Sequence, residues 1–290
     1  MRVAFLGPPG TFTEEALQAS IRGEAEQLPV ATVREAVMAV QTGDVGRAVV
    51  PIENALEGSV RATLDTLAGD APDVRIEAQV THPIHHCLIA PPSVALDALT
   101  RVVSHPHAIS QCRRFLRERL PRAERAAAAS TAEAVRLVSA AGEQWAAIGS
   151  RLSAERYGCK ILAENVEDRP DNLTRFVWLA PATAAVAAGT GPRKTSIVFW
   201  GFNDRSPGGL VSVLREIADR EINLTRIESR PRRAVLGRYM FFADLEGDVA
   251  DAAVAGALNA LAGRVESLRV LGSYPLLGSP QPGLPAAGER

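Results

Sequence analysis

One local pattern recurs along the first 180 residues and constrains the fold: a short apolar run, a polar turn, then a helix with its own start signal. Several of these helices open with a capping box, in which a hydroxyl stands three residues before a carboxylate. The boxes are Thr11-x-x-Glu14, Thr32-x-x-Glu35 and Ser130-x-x-Glu133. Ser59 is predicted to cap a further helix. Strands that alternate with helices predict an α/β protein with a mostly parallel sheet, or two such sheets joined by crossovers.

Residues 181–193 are small and rich in Ala, Gly and Pro, which is typical of a linker. Beyond them, the apolar pattern predicts a βαββαβ ferredoxin-like unit of about 80 residues. Before them, two extended segments around Pro83 predict a crossover into a second lobe. We therefore expect lobe 1 at about 1–80 and 165–180, lobe 2 at about 81–164, the linker at 181–193, the βαββαβ unit at 194–275 and a flexible tail at 276–290.

Charge and cysteine content narrow the class of protein. The 290 residues carry a formal net charge of −1 without a long run of one sign, so the electrostatic footprint of nucleic-acid or anionic-membrane binding is missing. A small molecule is the expected partner. Cys87, Cys112 and Cys159 are odd in number and far apart, which favours a reduced protein. With no apolar run long enough for a signal peptide or a membrane span, we expect a cytoplasmic protein.

Polar side chains gather at four places where strands and turns meet. The first is DNLTRFVWL (171–179), where Asn172, Thr174 and Arg175 lie at the mouth of a strand. The others are GPPGTFTEEA (7–16), PIENALEGSV (51–60) and SHPHAISQC (104–112). Caps and turns explain each one alone, and Arg175 could instead pair with an acidic residue at 164, 167 or 168. Together, the hydroxyls, amides and guanidinium suit a small carboxylated ligand.

The histidines and the second unit raise two further questions. HPIHH (82–86) and HPH (105–107) invite a metal hypothesis, but pleating would send His85 and His86 to opposite faces, and no HExxH motif accompanies them. We expect ordinary histidines and no metal.

In the second unit, Gly208-Gly209 would allow a close approach of a ligand or a backbone segment at a helix start. Small βαββαβ units lack deep pockets, so a ligand there would lie between two copies, which predicts an oligomer.

Taken together, these motifs resemble a known family. GPPGTFTEEA (7–16), VPIENALEGSV (50–60), SHPHAISQC (104–112) and NLTRF (172–176) have the order and spacing found in prephenate dehydratases. GGLVSVL (208–214) and INLTRIESRP (222–231) resemble the ACT regulatory domain of that family. The resemblance extends to about residue 275. It implies a catalytic part with two α/β lobes like a type 2 periplasmic binding protein, with substrate in the cleft, and an ACT unit that binds phenylalanine and inhibits the enzyme.

The implied reaction converts prephenate to phenylpyruvate with loss of water and carbon dioxide, and it needs no cofactor. Aromatisation supplies the driving force, so the protein need only position a dianion and help hydroxide leave as water. The resemblance further implies a place in L-phenylalanine biosynthesis, L-phenylalanine as the effector, and a homodimer or homotetramer formed through the ACT domains. Because the chain begins directly with the first strand, we expect no fused chorismate mutase.

The resemblance also assigns residues. The essential threonine falls on Thr174, which we predict to hydrogen-bond the departing hydroxyl, with Arg175 balancing substrate carboxylate charge. The remaining catalytic candidates are Glu53, Asn54, Ser104 and Gln111. The expected substrate contacts are Thr11, Phe12, Asn172 and Phe176. The expected phenylalanine site comprises Gly209, Leu210, Asn223, Leu224, Glu228, Ser229 and Arg230. Family members commonly carry Ala where this chain has Gly209, which leaves effector affinity open.

Two alternatives stay open at this point. An arogenate dehydratase would act on the amino-acid analogue of prephenate, and the sequence does not resolve an amino from a keto group. A non-catalytic cytoplasmic ligand sensor would use the same two-lobed cleft and ACT domain. The intact TRF motif favours an enzyme.

Overall fold

The computed structural model describes residues 1–184, 191–202, 207–232 and 237–277. The strands are Arg2–Leu6 (β1), Glu26–Val30 (β2), Arg47–Asn54 (β3), Gly58–Ser59 (β4), Val74–Pro83 (β5), Cys87–Ala90 (β6), Arg101–Ser104 (β7), Glu124–Ala127 (β8), Trp145–Gly149 (β9), Lys160–Ala163 (β10), Leu173–Pro181 (β11), Arg193–Trp200 (β12), Leu224–Pro231 (β13), Tyr239–Glu246 (β14) and Ser267–Leu277 (β15). The α-helices are Phe12–Ser20 (α1), Val33–Gln41 (α2), Arg61–Gly69 (α3), Pro106–Gln111 (α4), Arg113–Arg119 (α5), Thr131–Ala141 (α6), Arg151–Arg156 (α7), Gly209–Ala218 (α8) and Ala252–Ala262 (α9). None of the helices in these ranges has the length and apolar character needed to cross a membrane.

The strands form two sheets: the smaller belongs to lobe 2, and the larger runs through lobe 1 and continues into the second unit. The larger sheet has the order β13-β14-β12-β15-β5-β11-β3-β1-β2, with β4 beside β3, and the smaller has the order β10-β6-β9-β7-β8. Parallel pairs such as β1 with β3 and β7 with β9 lie beside antiparallel ones, notably β11 with β3 and β5. The chain crosses between the sheets twice, from β5 to β6 and from β10 to β11. The predicted α/β class with two lobes is confirmed, but the expectation of mostly parallel sheets is wrong, because both lobes have mixed sheets.

Apolar residues at helical spacing cover both faces of each sheet. In α2, Val33, Ala36, Val37 and Val40 are buried and pack with α3 on one face of the lobe 1 sheet. Helix α1 covers the other face. In lobe 2, α4 and α5 cover one face and α6 the other. Each lobe thus has its own core, and the groove between the lobes is left for polar side chains.

The capping boxes behave as predicted, with one exception among the helix starts. Thr11, Thr32 and Ser130 are the N-caps of α1, α2 and α6, and each side chain accepts the N–H of the glutamate three residues on. The predicted cap at Ser59 is wrong. Helix α3 begins after Val60, and Ser59 belongs to β4, where its hydroxyl accepts from the Arg226 guanidinium.

Helices α4 and α5 are separated by a break at Cys112, whose φ of −117° and ψ of 24° are not helical. The cause lies in Asp168. Its N–H donates to the Gln111 carbonyl at 2.6 Å, and its carboxylate accepts the Arg114 N–H at 3.0 Å. These bonds satisfy backbone groups around the break and redirect the chain after Gln111.

The second unit has the predicted order β12-α8-β13-β14-α9-β15, and both helices pack on one face of its antiparallel sheet. Its last strand joins the catalytic sheet, since Leu276 and Leu277 pair in parallel with Gln79 and Val80 of β5. The first two residues of the predicted tail at 276–290 are therefore strand, while 278–290 lie outside the described residues. Of the predicted linker, Pro181 and Arg193 are also strand, and 185–190 lie outside the described residues.

Candidate active site

A cleft of about 370 Å³ lies between the two lobes. Lobe 1 contributes the ends of β1, β3 and β11 and the start of α1, and lobe 2 contributes α4 and the start of α6. The PIEN, SHPHAISQC, GTF and TRF motifs, which are far apart in sequence, meet here because parallel and crossover connections bring their strand ends to one edge.

Asn54 and Thr174 form the centre of a hydrogen-bond network in this cleft. They are paired in register on β3 and β11, and the Asn54 Nδ2 group donates to Thr174 Oγ1 and to Asn172 Oδ1, both at 2.8 Å. The Asn54 Oδ1 atom accepts the backbone N–H groups of Leu56 and Glu57 at 2.9 and 3.0 Å, which sets the orientation of the amide. Both amide protons are therefore in use. Thr174 Oγ1 acts as an acceptor, and its own proton is available to a molecule in the cleft.

A β-bulge shapes the wall beside this pair. Thr174 pairs with Asn54, but Phe176 pairs with Pro51, so β3 has one residue more than β11 over this stretch. Bulges re-aim side chains. Here Pro51 and Asn54, three residues apart, both line the cleft together with Thr174 and Phe176.

Gln111 ties the two lobes together across the cleft. Its Oε1 atom accepts from Asn172 Nδ2 at 3.3 Å and lies 3.1 Å from His86 Nε2. Its Nε2 group donates to the Glu57 carboxylate at 3.1 Å. Gln111, Asn172, Asn54 and Thr174 therefore form one continuous chain of hydrogen bonds, as expected for side chains that were predicted to share a site.

His86 is a cleft residue that the sequence reasoning missed. It is 2% exposed, lines the cleft, and meets the Phe12 ring edge-on at 5.5 Å between centroids. Burial lowers its pKa, so the ring is neutral. Because Gln111 Oε1 is an acceptor, the proton lies on Nε2, and the buried Nδ1 has no hydrogen-bond partner among the described residues. The HPIHH motif contains His86, but its histidines were considered as possible metal ligands and not as cleft residues.

The depressed pKa of His86 predicts a pH-dependent stability. Below about pH 6.5 an unfolded chain protonates this histidine while the folded chain resists it, so stability falls as pH falls through that range. In His86→Gln, which removes the titration and keeps a side-chain N–H for Gln111, the loss of Tm between pH 7.5 and 5.5 should be smaller by a few degrees, or about 1 kcal/mol. Circular dichroism melts of both proteins measure this, and equal losses would contradict it.

Arg175 and Glu53 do not lie in the cleft, which corrects their predicted roles. Successive side chains of a strand point to opposite faces, so Arg175 points away from Thr174. Its guanidinium contacts Glu53 at 2.5 Å, Asp244 at 3.0 Å and Gln79 at 3.1 Å. The alternative partners expected at 164, 167 and 168 are also wrong: the first two pair with Arg151 and His85, and the third caps the break after α4.

Two predicted hydroxyl groups are already engaged in the fold. Ser104 is fully buried, and its hydroxyl donates to the Ile148 carbonyl of β9 at 2.7 Å, so it does not reach the cleft. Thr11 lines the cleft, but its hydroxyl donates to the Leu6 carbonyl at 2.9 Å and accepts the Glu14 N–H at 3.3 Å. Neither residue therefore offers a free hydroxyl proton to the cleft.

Two helix starts face the cleft from opposite sides. Thr13 in the first turn of α1 belongs to lobe 1, and Thr131, the first residue of α6, belongs to lobe 2; both line the cleft. The start of a helix presents N–H groups and partial positive charge, which favour anions. No lysine or arginine of the described residues lines this cleft, so the helix starts are its fixed sources of partial positive charge. The capping box at Ser130 was read from the sequence as a structural signal only.

The predicted effector residues of the second unit lie on two different faces. Leu210 and Leu224 pack against the same apolar cluster under the helices. A bulge between Leu224 and Arg226 changes the alternation, and Arg230 then contacts Asp65 of α3 through two hydrogen bonds of 2.8 Å. Glu228, on the same face as Arg230, pairs with Arg226. These contacts correct the predicted grouping of Glu228 and Arg230 with Gly209, Asn223 and Ser229.

Comparison with known proteins agrees with this architecture. The family model for prephenate dehydratase matches residues 3–184, and the model for the ACT domain matches residues 195–263. A prephenate dehydratase of Amycolatopsis methanolica is 40% identical over 273 residues, which cover 94% of this chain and 88% of that protein.

Solved structures extend the likeness to three dimensions. Prephenate dehydratase of Arthrobacter aurescens, in complex with L-Phe, has a TM-score of 0.87 and 38% identity, covering 95% of this chain and 90% of that one. GqqA, described as a novel type of quorum quenching acylase, has a TM-score of 0.86 and 30% identity over 97% of this chain and 99% of its own. With its two-lobed catalytic part and βαββαβ unit, the chain belongs to the prephenate dehydratase family, carbon–oxygen lyases, and carries a C-terminal ACT domain.

Proposed function

We propose that this chain converts prephenate to phenylpyruvate in L-phenylalanine biosynthesis, with the interlobe cleft as the active site. The observation that carries the proposal is the Asn54–Thr174 pair. Asn54 donates to Thr174 Oγ1 at 2.8 Å, so the threonine proton is directed to whatever occupies the cleft. A positioned hydrogen-bond donor beside a leaving hydroxyl is the contribution that this reaction requires from a protein.

Substrate binding would use the helix starts and the aromatic walls. Prephenate carries two carboxylates, and the starts of α1 and α6 approach the cleft from opposite lobes. Phe12 and Phe176 both line the cleft and offer apolar surface to the substrate ring. Neutral His86 beside Phe12 leaves the ring region without a charge that would compete for the carboxylates.

The chemical step balances without a cofactor. The bond between the ring and its carboxylate breaks, carbon dioxide leaves, and the electron pair enters the ring as the C4–O bond breaks. The departing hydroxide takes up one proton, supplied by solvent, and leaves as water. The hydrogen bond from Thr174 stabilises negative charge as it develops on that oxygen, and the Asn54 amide prevents the hydroxyl from rotating its lone pairs toward the substrate.

Regulation by L-phenylalanine is part of the proposal. The Arthrobacter aurescens relative is described in complex with L-Phe, and this chain carries an ACT domain. Gly209, Leu210, Asn223, Leu224 and Ser229 remain as candidate contacts after the correction of Glu228 and Arg230. A site on so shallow a unit is completed by a second copy, which makes the protein a homo-oligomer.

The test is an ultraviolet assay of phenylpyruvate formation from prephenate by the purified chain, with and without L-phenylalanine. Arogenate runs in parallel, with phenylalanine as the measured product. Phenylpyruvate formation that L-phenylalanine suppresses is the expected result. Turnover of arogenate alone would reassign the substrate, and no product from either would favour a ligand sensor or the activity described for GqqA.

A further inference from the structure

A partly buried cluster of charged side chains lies directly behind the Asn54–Thr174 pair, on the opposite face of the sheet. Arg175 contacts Glu53 at 2.5 Å and Asp244 at 3.0 Å. Glu53 and Arg175 are themselves paired in register, one step along β3 and β11 from Asn54 and Thr174. Asp244 comes from β14 of the ACT domain and is 1% exposed. The cluster therefore connects the ACT domain to the backbone that carries the catalytic pair.

Asp244 is held firmly on its own side. The Ser196 hydroxyl donates to Asp244 Oδ1 at 2.6 Å and also lies 2.7 Å from the hydroxyl of the fully buried Tyr274. Burial opposes ionisation of Asp244, but the positive charges of Arg175 and Arg226 outweigh it and lower the pKa of the carboxyl group. Asp244 is thus a fixed anion, and it defines where the guanidinium of Arg175 can lie.

Moving Arg175 would move Thr174, because the two are adjacent on one strand. The second partner of the guanidinium, Glu53, adjoins Asn54 in the same way on β3. A buried guanidinium that lost one anion would shift to recover solvation or another partner, since unpaired buried charge is strongly unfavourable. Such a shift would act on both members of the catalytic pair and leave the remaining cleft walls in place.

We propose that Asp244 is a positioning residue for the active site: by holding Arg175 and Glu53, it sets the hydrogen bond between Asn54 and Thr174 without touching substrate. The regulatory domain thus contributes a side chain on which the catalytic rate depends. The rate effect rests on the proposed dehydratase function, while the structural effect does not.

The test compares Asp244→Asn with a matched control, Asp65→Asn. Asp65 also forms a partly buried ion pair between the two units, with Arg230 at 2.8 Å, but it lies on α3 and not on β3 or β11. We expect Asp244→Asn to lower kcat with prephenate about tenfold and to change KM by less than about threefold. The Asp65→Asn variant should keep kcat within about twofold of wild type.

A double-mutant cycle separates positioning from general destabilisation. If Asp244 acts through Arg175, then adding Asp244→Asn to Arg175→Gln should lower kcat no further. If the two losses multiply, or if Asp65→Asn lowers kcat as much as Asp244→Asn, the positioning role is overturned. Thermal melts of the wild type and all four variants establish that each is folded at the assay temperature.

Hydrogen–deuterium exchange provides an arm that does not depend on the reaction. In Asp244→Asn, exchange should rise in peptides spanning 53–57 and 172–176, and it should stay at the wild-type level there in Asp65→Asn. Unchanged exchange in Asp244→Asn overturns the proposal. If the wild-type chain makes no phenylpyruvate but Asp244→Asn shows the predicted rise in exchange, the proposed substrate is refuted and the positioning role is retained.

Discussion

Replacing Thr174 with Val is expected to lower kcat by on the order of 10²–10³-fold, the loss seen when one donor to a developing oxyanion is removed. Val has nearly the shape of Thr, so the cleft keeps its outline. What disappears is the one hydroxyl whose proton the Asn54 amide directs into the cleft. The measurement is steady-state turnover of prephenate, and KM should change far less than kcat because the helix starts proposed to bind the carboxylates are untouched.

The control for this variant is Thr174→Ser, which keeps the hydroxyl and removes only a methyl group. It should retain most of the activity, with a loss of about tenfold at most from the looser χ1 of serine. Valine also leaves an Asn54 N–H without its acceptor, at a cost of about 1–3 kcal/mol, so folding is checked by thermal melts. Near-normal turnover in folded Thr174→Val would remove Thr174 from the mechanism.

Replacing Asn54 with Asp is expected to be nearly as damaging, on the order of 10²-fold in kcat. The new side chain has the same shape but offers acceptors where the amide offered two donors. Asn172 Oδ1 and Thr174 Oγ1, both 2.8 Å from the amide nitrogen, would lose their donor. The threonine would then donate its own proton to the new carboxylate, so the substrate would lose the hydrogen bond. Turnover measured beside Thr174→Val tests whether the two variants disable the same step.

The pH dependence of Asn54→Asp provides a control within the same variant. A protonated carboxyl group can donate again, so the ratio of variant to wild-type kcat should rise as the pH falls toward 5, where a buried carboxyl with a pKa above about 3.9 takes up its proton. Asn54→Ala provides no such group and should show a flat ratio. A flat ratio for both variants would indicate that the donor role of the amide is not what the enzyme uses.

Much of the fold could be predicted because its signals are local. The capping boxes at Thr11, Thr32 and Ser130 need only four residues each, and the helices begin where those residues stand. The predicted cap at Ser59 is wrong for a non-local reason. Ser59 pairs with β3 and contacts Arg226 of the second unit, so the helix starts only at Arg61.

The same distinction between local signals and non-local contacts applies to the candidate site. Asn54, Gln111, Asn172 and Thr174 were predicted together, and the structure joins them in one hydrogen-bond chain. That Arg175 faces away from Thr174 could have been derived from strand alternation alone. Its partner Asp244 could not, because 69 residues separate them and only the packing of two units brings them into contact.

The pairing of β15 with β5 limits how the ACT domain could be removed from this protein or replaced. Gly272 lies so close to β5 that a Cβ atom there would stand 2.3 Å from the Ile76 carbonyl oxygen, and the strand then continues along the edge of β5. An uncovered edge strand is a template for association with other chains. Truncation of the chain before the ACT domain would therefore leave the edge of β5 exposed in the catalytic unit. If the ACT domain were exchanged for another domain, a new strand would have to pair with that edge. The ACT domain covers the edge of β5, so we expect its retention to support the solubility of the catalytic unit as well as the proposed regulation.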